Sequence, residues 1–470
     1  MVPNSTSLNP SYSFSEELQQ HLYGRLLLLD EILFPDELLT AHIKNGYIST
    51  MPGITQIESQ PHCSRCGNND PSMFYRFPCS HCGKKCIYCR ACIMMGRISE
   101  CSKLYFWSGP GFSFDISAQV MAWAGSLSEG QKVASERVIS AVNSNDELLV
   151  WAVCGAGKTE VLFEGIEAAL QSGKRVCMAT PRTDVVLELA PRLKSAFPQI
   201  EVAALYGGSE DRHLLTPLTV TTTHQLFRFH NAFDTIIIDE VDAFPYSMDS
   251  SLQFAVRKAK KNTSTTIYLT ATPSKKMQND YENQKLIGVT IPARYHRHPI
   301  PAPLMKWCGN WKREFERKRT PNIITDWVNL RLQLKNPFLL FFSTIQVMEQ
   351  ALPLFQSLHS ELQSVHSQDP ERKEKVTALR EGRIPGLLTT TILERGVTIP
   401  KLDVAVIGSE HQVYSESALV QIAGRVGRSE KSPEGDITFF HYGKSNDMIR
   451  AIVHINRMNK EADKRGMLDV

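Results

Sequence analysis

The chain has 470 residues, a length that needs two or three domains rather than one core. Hydrophobic residues make up 42% and charged residues 21%, ordinary for a globular protein, and a net charge of +3 excludes a global basic field, so any polyanion-binding surface must be local. No apolar run approaches the ~18–20 residues of a membrane-spanning helix. The opening "MVPNSTSLNPSYSFSEE" also lacks a basic-then-apolar signal. The expected compartment is therefore the cytoplasm, with peripheral attachment to the inner face of the cell membrane through a partner left open.

Residues 1–61 read as a helical N-terminal segment. In "SEELQQHLYGRLLLLDEILFPDELLTAHIKNG" the leucines recur at helical spacing, and Ser15 followed by Glu17 and Gln19 is a helix start. Residues 62–104 form a cysteine module: eight of the eleven cysteines lie between Cys63 and Cys101. In a reducing compartment such a cluster points to metal rather than disulfides. The module is too short to bury much core, and structural zinc supplies ~10–16 kcal/mol of apparent binding free energy. Four thiolates satisfy one tetrahedral ion, so eight could hold two. An all-cysteine site leaves no position for a reactive water, so the module reads as a folded platform for a partner or for DNA. No thioredoxin-like βαβ unit surrounds the C-x-x-C pairs, which places a redox role lower. His62 and His81 read as surface histidines.

From residue 115 the texture changes. Short β-branched runs ("ELLVWAV", "RVCMAT", "LTVTTT", "DTIIID", "TTIYLT") alternate with helical stretches, the pattern of a parallel α/β sheet. This first α/β domain spans residues 115–295. Within it, "AVCGAGKTE" (152–160) sits between a strand and a helix. Such a glycine-rich turn aims backbone N–H groups at phosphate, with Gly155, Ala156 and Gly157 forming the turn. Lys158 reaches the β/γ-phosphates and Thr159 binds Mg²⁺. Ala152 replaces the first glycine of the strict motif, and Cys154 reads as a small residue filling the turn. In "TIIIDEVDAF" (235–244) a buried strand delivers Asp239, for Mg²⁺, and Glu240, to orient the attacking water.

Residues 296–335 read as a basic, aromatic linker. In "KWCGNWKREFERKRT" six Lys/Arg interleave with Trp307, Trp311 and Phe315, whose four-residue spacing suits one packed helix face better than a base-stacking track. The strand–helix alternation resumes over 336–470, a second α/β domain. There "QIAGRVGRS" (421–429) carries Arg425 and Arg428, whose planar guanidinium groups suit the charge that spreads over a transferring phosphoryl group.

These motifs, in this order over about 300 residues, resemble superfamily 2 helicases and translocases. The resemblance implies two RecA-like parallel-sheet domains with ATP·Mg²⁺ in the cleft between them. It implies an adenine-reading role for Gln131 in "LSEGQKVAS". It also implies nucleic-acid contacts at Pro181, Arg182, Thr222, Thr223 and Thr390, and coupling through Thr270, Ala271 and Thr272 of "LTATP". In "TTTILERGVTIP", Thr390, Arg395 and Gly396 match the family, whereas Thr398 stands where many relatives have Asp. The tetrad D-E-V-D does not support the strict RNA-helicase subgroups.

With "CSRCGN" and "YCRACIMMGR" ahead of this motor, the chain is similar to the late competence protein ComFA family, across residues 60–460. The resemblance implies an ATPase that moves incoming single-stranded DNA through an uptake channel. It implies partnership with a ComFC-like competence protein and with the membrane channel, and leaves a homo-oligomer open. The family's four-cysteine pattern falls on Cys63, Cys66, Cys89 and Cys92 as zinc ligands. Cys79, Cys82, Cys86 and Cys101 are then candidates for a second Zn²⁺. The competing functions are a PriA-like primosome or repair helicase and an ATP-gated nucleic-acid scaffold without motor activity.

Overall fold

The computed structural model describes residues 7–116, 119–394 and 399–469. The leucine-rich N-terminal stretch is not one helix. Ser15 caps a helix over Glu16–Leu22, accepting from the Leu18 N–H, and a second helix spans Asp36–Lys44. Gly24 breaks the run with φ +70°, and a Cβ there would lie 2.8 Å from the Cβ of Ala232. The leucines that follow are extended and dock on the motor, with Leu26 N–H donating to the Arg228 carbonyl. The segment is also not purely helical. Strands Ile48–Pro52 and Ile54–Ile57 pair antiparallel with Lys103–Trp107 and Gln60–Cys63, so residues 7–107 interleave as one N-terminal unit.

Seven parallel strands form the first sheet, in the order Val202–Leu205, Leu218–Thr222, Val176–Thr180, Phe233–Asp239, Lys260–Thr270, Glu147–Ala152, Ile287–Ile291. Their near-continuous apolar runs are what a sheet covered on both faces requires. The phosphate-binding turn leaves the carboxyl end of Glu147–Ala152, next to the end of Lys260–Thr270, where ligands of open α/β sheets sit.

Six parallel strands form the second sheet, in the order Leu304–Trp307, Ile437–His441, Asp403–Ile407, Phe338–Phe341, Gly386–Thr389, Gln363–Val365. Two parallel-sheet RecA-like domains are therefore present, as expected. The reading of 296–335 as a linker needs correction, because Leu304–Trp307 is an edge strand of this sheet and a helix over Asn322–Leu334 packs on it. Its aromatics also divide. Trp311 and Phe315 are buried on the helix Trp311–Glu316, but Trp307 is a strand residue, 65% exposed. The packed helix face expected from the aromatic spacing is thus present for Trp311 and Phe315 but not for Trp307.

Candidate ATP site and cysteine clusters

The phosphate-binding turn has glycines at φ +84° (Gly155) and +68° (Gly157), which L side chains resist. A tight turn over Glu160–Leu162 precedes the α-helix Phe163–Gln171, so the helix starts one turn later than the sequence suggests. Lys158 is half-buried and Thr159 buried beside it. Gln131 lies against the turn. Its Nε2 donates to the carbonyls of Ala156 (2.9 Å) and Gly157 (3.3 Å), and its Oε1 accepts from the Ser128 N–H (2.8 Å). One amide thus caps the helix Glu129–Ser144 and ties that helix to the phosphate loop.

Asp239 ends its strand half-buried, and Glu240 follows at φ +58°. A non-glycine residue there costs about 1–2 kcal/mol. Thr159 and Asp239 offer one hydroxyl and one carboxylate, the hard oxygen donors that suit Mg²⁺. The last acid of the tetrad, Asp242, gathers hydroxyls from both domains. It accepts from Thr270 (2.5 Å), Thr272 (2.7 Å) and Ser417 (2.6 Å), and Thr272 and Ser417 lie 2.8 Å apart. Ser417 escaped the sequence reading, although it lies one helical turn before Gln421 on the helix Glu416–Ala423.

That helix carries the arginine motif to the phosphate loop. Cys154 Sγ donates to Gln421 Oε1 at 3.1 Å, and a Cβ on Gly424 would fall 2.7 Å from that sulfur. Cys154 is thus the small residue that lets the domains meet. Arg425 is buried, its Nε donating to the Glu394 carbonyl (2.7 Å), while half-buried Arg428 donates to the Gly424 carbonyl (3.1 Å). Arg294, also missed from sequence, is buried between Gly155 and Gly427.

On the opposite flank Arg182 forks onto Asp184 (Nε 3.1 Å, Nη2 2.9 Å) and reaches the Ile392 carbonyl of the second domain. Arg372 of the second domain joins at 3.4 Å. Burial alone would raise the Asp184 pKa, but the two guanidinium groups hold its carboxyl below the usual range. Thr222 and Thr223 are buried side chains at the end of strand Leu218–Thr222, and Thr390 is half-buried. Arg395, Gly396 and Thr398 lie outside the described residues.

The eight clustered cysteines divide into two sets of four, in each of which all sulfurs lie within 4.8 Å of one another. In Cys63, Cys66, Cys89 and Cys92 the nearest pairs are 3.8 and 3.7 Å apart. A tetrahedral zinc with ~2.3 Å bonds has sulfur–sulfur edges of about 3.8 Å. In Cys79, Cys82, Cys86 and Cys101 the pairs are 3.6 and 3.0 Å apart, far longer than a disulfide. The first donor set therefore matches a zinc tetrahedron, while the second gathers four thiols of the right kind with its Cys82–Cys86 pair, at 3.0 Å, tighter than a zinc edge. The first set sits on the motor: Gly67 abuts the ring of Phe254, and Lys258 Nζ donates to the carbonyls of Arg65 (2.8 Å) and Phe227 (2.7 Å).

The comparisons agree with this architecture. Residues 9–106 match the competence protein ComFA N-terminal domain, 125–275 the type III restriction enzyme res subunit, and 321–430 the helicase conserved C-terminal domain. Competence protein ComFA of Bacillus subtilis (strain 168) is 50% identical over 452 residues, 96% of this chain and 97% of that protein. The chain belongs to the ComFA family. A second ComFA, from Streptococcus pneumoniae (strain R6), is 36% identical over 88% of this chain and 93% of its own length. The fold of the motor is similar to that of Mycobacterium smegmatis helicase Lhr bound to ssDNA and AMP-PNP. That match has a TM-score of 0.51 and 17% identity, covering 72% of this chain and 48% of that one. The chain is thus a competence-family helicase-like ATPase by descent and architecture. No helix among its described residues is long and apolar enough to cross a membrane.

Proposed function

We propose that this ComFA-family protein is an ATP-dependent translocase for single-stranded DNA, drawing incoming strands into the cytoplasm during natural transformation. The observation that carries the proposal is the shared hydroxyl–carboxylate cluster. Asp242, three residues beyond Asp239, is bonded at once to Thr270 and Thr272 of the first domain and Ser417 of the second. A change at the phosphate side of the tetrad is thereby felt directly by the other domain.

In this mechanism Lys158 and the loop N–H groups would hold the phosphates, Thr159 and Asp239 would hold Mg²⁺, and Gln131 would read adenine. Mg²⁺ neutralises phosphate charge. Glu240 orients water, and Arg425 and Arg428 stabilise the charge on the transferring group. Loss of the terminal phosphate loosens the Asp242 contact and the cleft. Of the residues the resemblance assigns to the strand, half-buried Arg182 and Thr390 would meet its backbone and buried Pro181, Thr222 and Thr223 would shape the surface beneath it, so that alternate opening and closing would move the backbone in steps. Such contacts carry no base specificity. Cys63, Cys66, Cys89 and Cys92 would hold one structural zinc, and Cys79, Cys82, Cys86 and Cys101 a second. The module then serves as the docking platform for a ComFC-like protein and, through it, the membrane channel; a homo-oligomer is compatible with this scheme.

The test is steady-state ATP hydrolysis, alone and with single-stranded DNA, duplex DNA or RNA. Lys158→Ala, the blank, should abolish turnover while leaving the fold intact. Stimulation by single-stranded DNA above the others supports the translocase. Robust unwinding of long duplexes favours a PriA-like helicase. Tight DNA binding without stimulated turnover points to a scaffold.

A further inference from the structure

The segment leaving the first domain runs beside the phosphate loop. Val153 N–H donates to the Ile291 carbonyl at 3.1 Å and Tyr295 N–H to the Gly155 carbonyl at 3.0 Å. Arg294 lies between those two contacts and is 2% exposed. Its Cγ would be 3.6 Å from a Cβ on Gly155, so the side chain passes directly against the loop. Its Nη1 donates to the carbonyl of Gly427 in the arginine motif at 2.6 Å. Its Nε and Nη2 are buried with no hydrogen-bond acceptor among the described residues.

A guanidinium has five donors, and leaving two of its nitrogens dry and unmet costs the full desolvation of charged groups. The surroundings add to this. Burial, reinforced by the positive charge of Arg428, pushes Arg294 down to about 10. The missing acceptor must be negative, rich in oxygen and placed between the phosphate loop and the arginine motif. Two neighbours in this cleft already have partners: Cys154 bonds Gln421, and Arg428 Nε bonds the Gly424 carbonyl.

We propose that Arg294 is a sensor of the terminal phosphate of ATP: Nε and Nη2 donate to its oxygens while Nη1 keeps hold of Gly427. The group is supplied by the first domain, at the point where the chain leaves for the second. Phosphate loop, exit segment and arginine motif then close as one unit around a triphosphate. With a diphosphate the two donors stay unmet, and closure loses its electrostatic return. The inference rests on the ATPase reading above.

The experiment measures equilibrium binding of ADP and of a non-hydrolysable ATP analogue, both with Mg²⁺, to the full chain, Arg294→Gln and Arg294→Lys. Thermal melting runs alongside. In Arg294→Gln the analogue's affinity is expected to fall roughly 10- to 100-fold, the scale of a lost charge-assisted hydrogen bond, while that of ADP changes less than about 3-fold. Lysine keeps the charge but not the fork, so Arg294→Lys should fall in between. Equal losses for both nucleotides, or no loss in a folded variant, would overturn the sensor and leave a plain interdomain staple. If Arg294→Gln does not fold, the ratio of the two affinities in Arg294→Lys decides alone. Wild type binding neither nucleotide would instead sink the ATPase reading itself.

Discussion

The two cysteine clusters use the same local device and end in different surroundings. "CSRCG" and "CSHCG" both make a Cys–x–x–Cys–Gly turn, with Gly67 at φ +71° and Gly83 at φ +69°. A Cβ on Gly67 would strike the Phe254 ring at 2.5 Å, whereas nothing lies within 4 Å of one on Gly83. The first cluster is buried at all four cysteines, while Cys82 and Cys101 of the second are partly exposed. The lesson is that the pentapeptide specifies the turn, and docking on the helix Ser250–Ala259 specifies which cluster is part of the motor. The inner cluster is a joint between module and motor; the outer one is a tip.

Removing a ligand should break that comparison most severely. Cys66→Ser is expected to release one zinc per chain and unfold the N-terminal unit, since metal binding there is folding free energy. Cys82→Ser should release one zinc while the inner cluster and the ATPase domains stay folded. Metal content by atomic spectroscopy and limited proteolysis read both; equal collapse in the two variants would show that the clusters fold as one.

A gentler pair sharpens the contrast. Gly67→Ala and Gly83→Ala carry the same backbone penalty of about 1 kcal/mol. Gly67→Ala must also displace Phe254, and overpacking adds about 1–3 kcal/mol. Urea melts should therefore separate the two variants by that margin, and identical midpoints would mean that the Phe254 seat yields freely.

Acid provides the most reversible perturbation, acting on the docking of the N-terminal unit away from either cluster. His21 is buried, faces Arg25, and stacks on His213 with ring centroids 5.4 Å apart. Burial first, then the Arg25 charge, lowers its pKa to about 4. The folded state resists a proton that the unfolded chain accepts near pH 6.5. Stability from this site is thus complete above pH 6.5 and is lost as pH falls towards and below 4, by roughly 3 kcal/mol in all. His21→Phe, which cannot titrate, should flatten this part of the stability–pH profile.

Sequence alone determined the chemistry that depends on near neighbours. Strand–helix alternation encodes two parallel sheets because apolar runs of strand length must be covered on both faces. The phosphate loop follows from glycine's access to positive φ, and the cysteine module from the thiolate spacing. Ser15 as a helix cap is likewise a matter of three residues. Tertiary structure decided whatever depends on which distant surfaces meet. After the helix ends at Leu22, the chain passes so close to Ala232, more than two hundred residues on, that position 24 has room only for glycine. The basic segment around Trp311 became part of a domain because its aromatics, not its charges, found a core. Arg294, Ser417 and the seat of the inner cysteines carry no local signal, since a contact between domains is written in neither partner's own stretch of sequence.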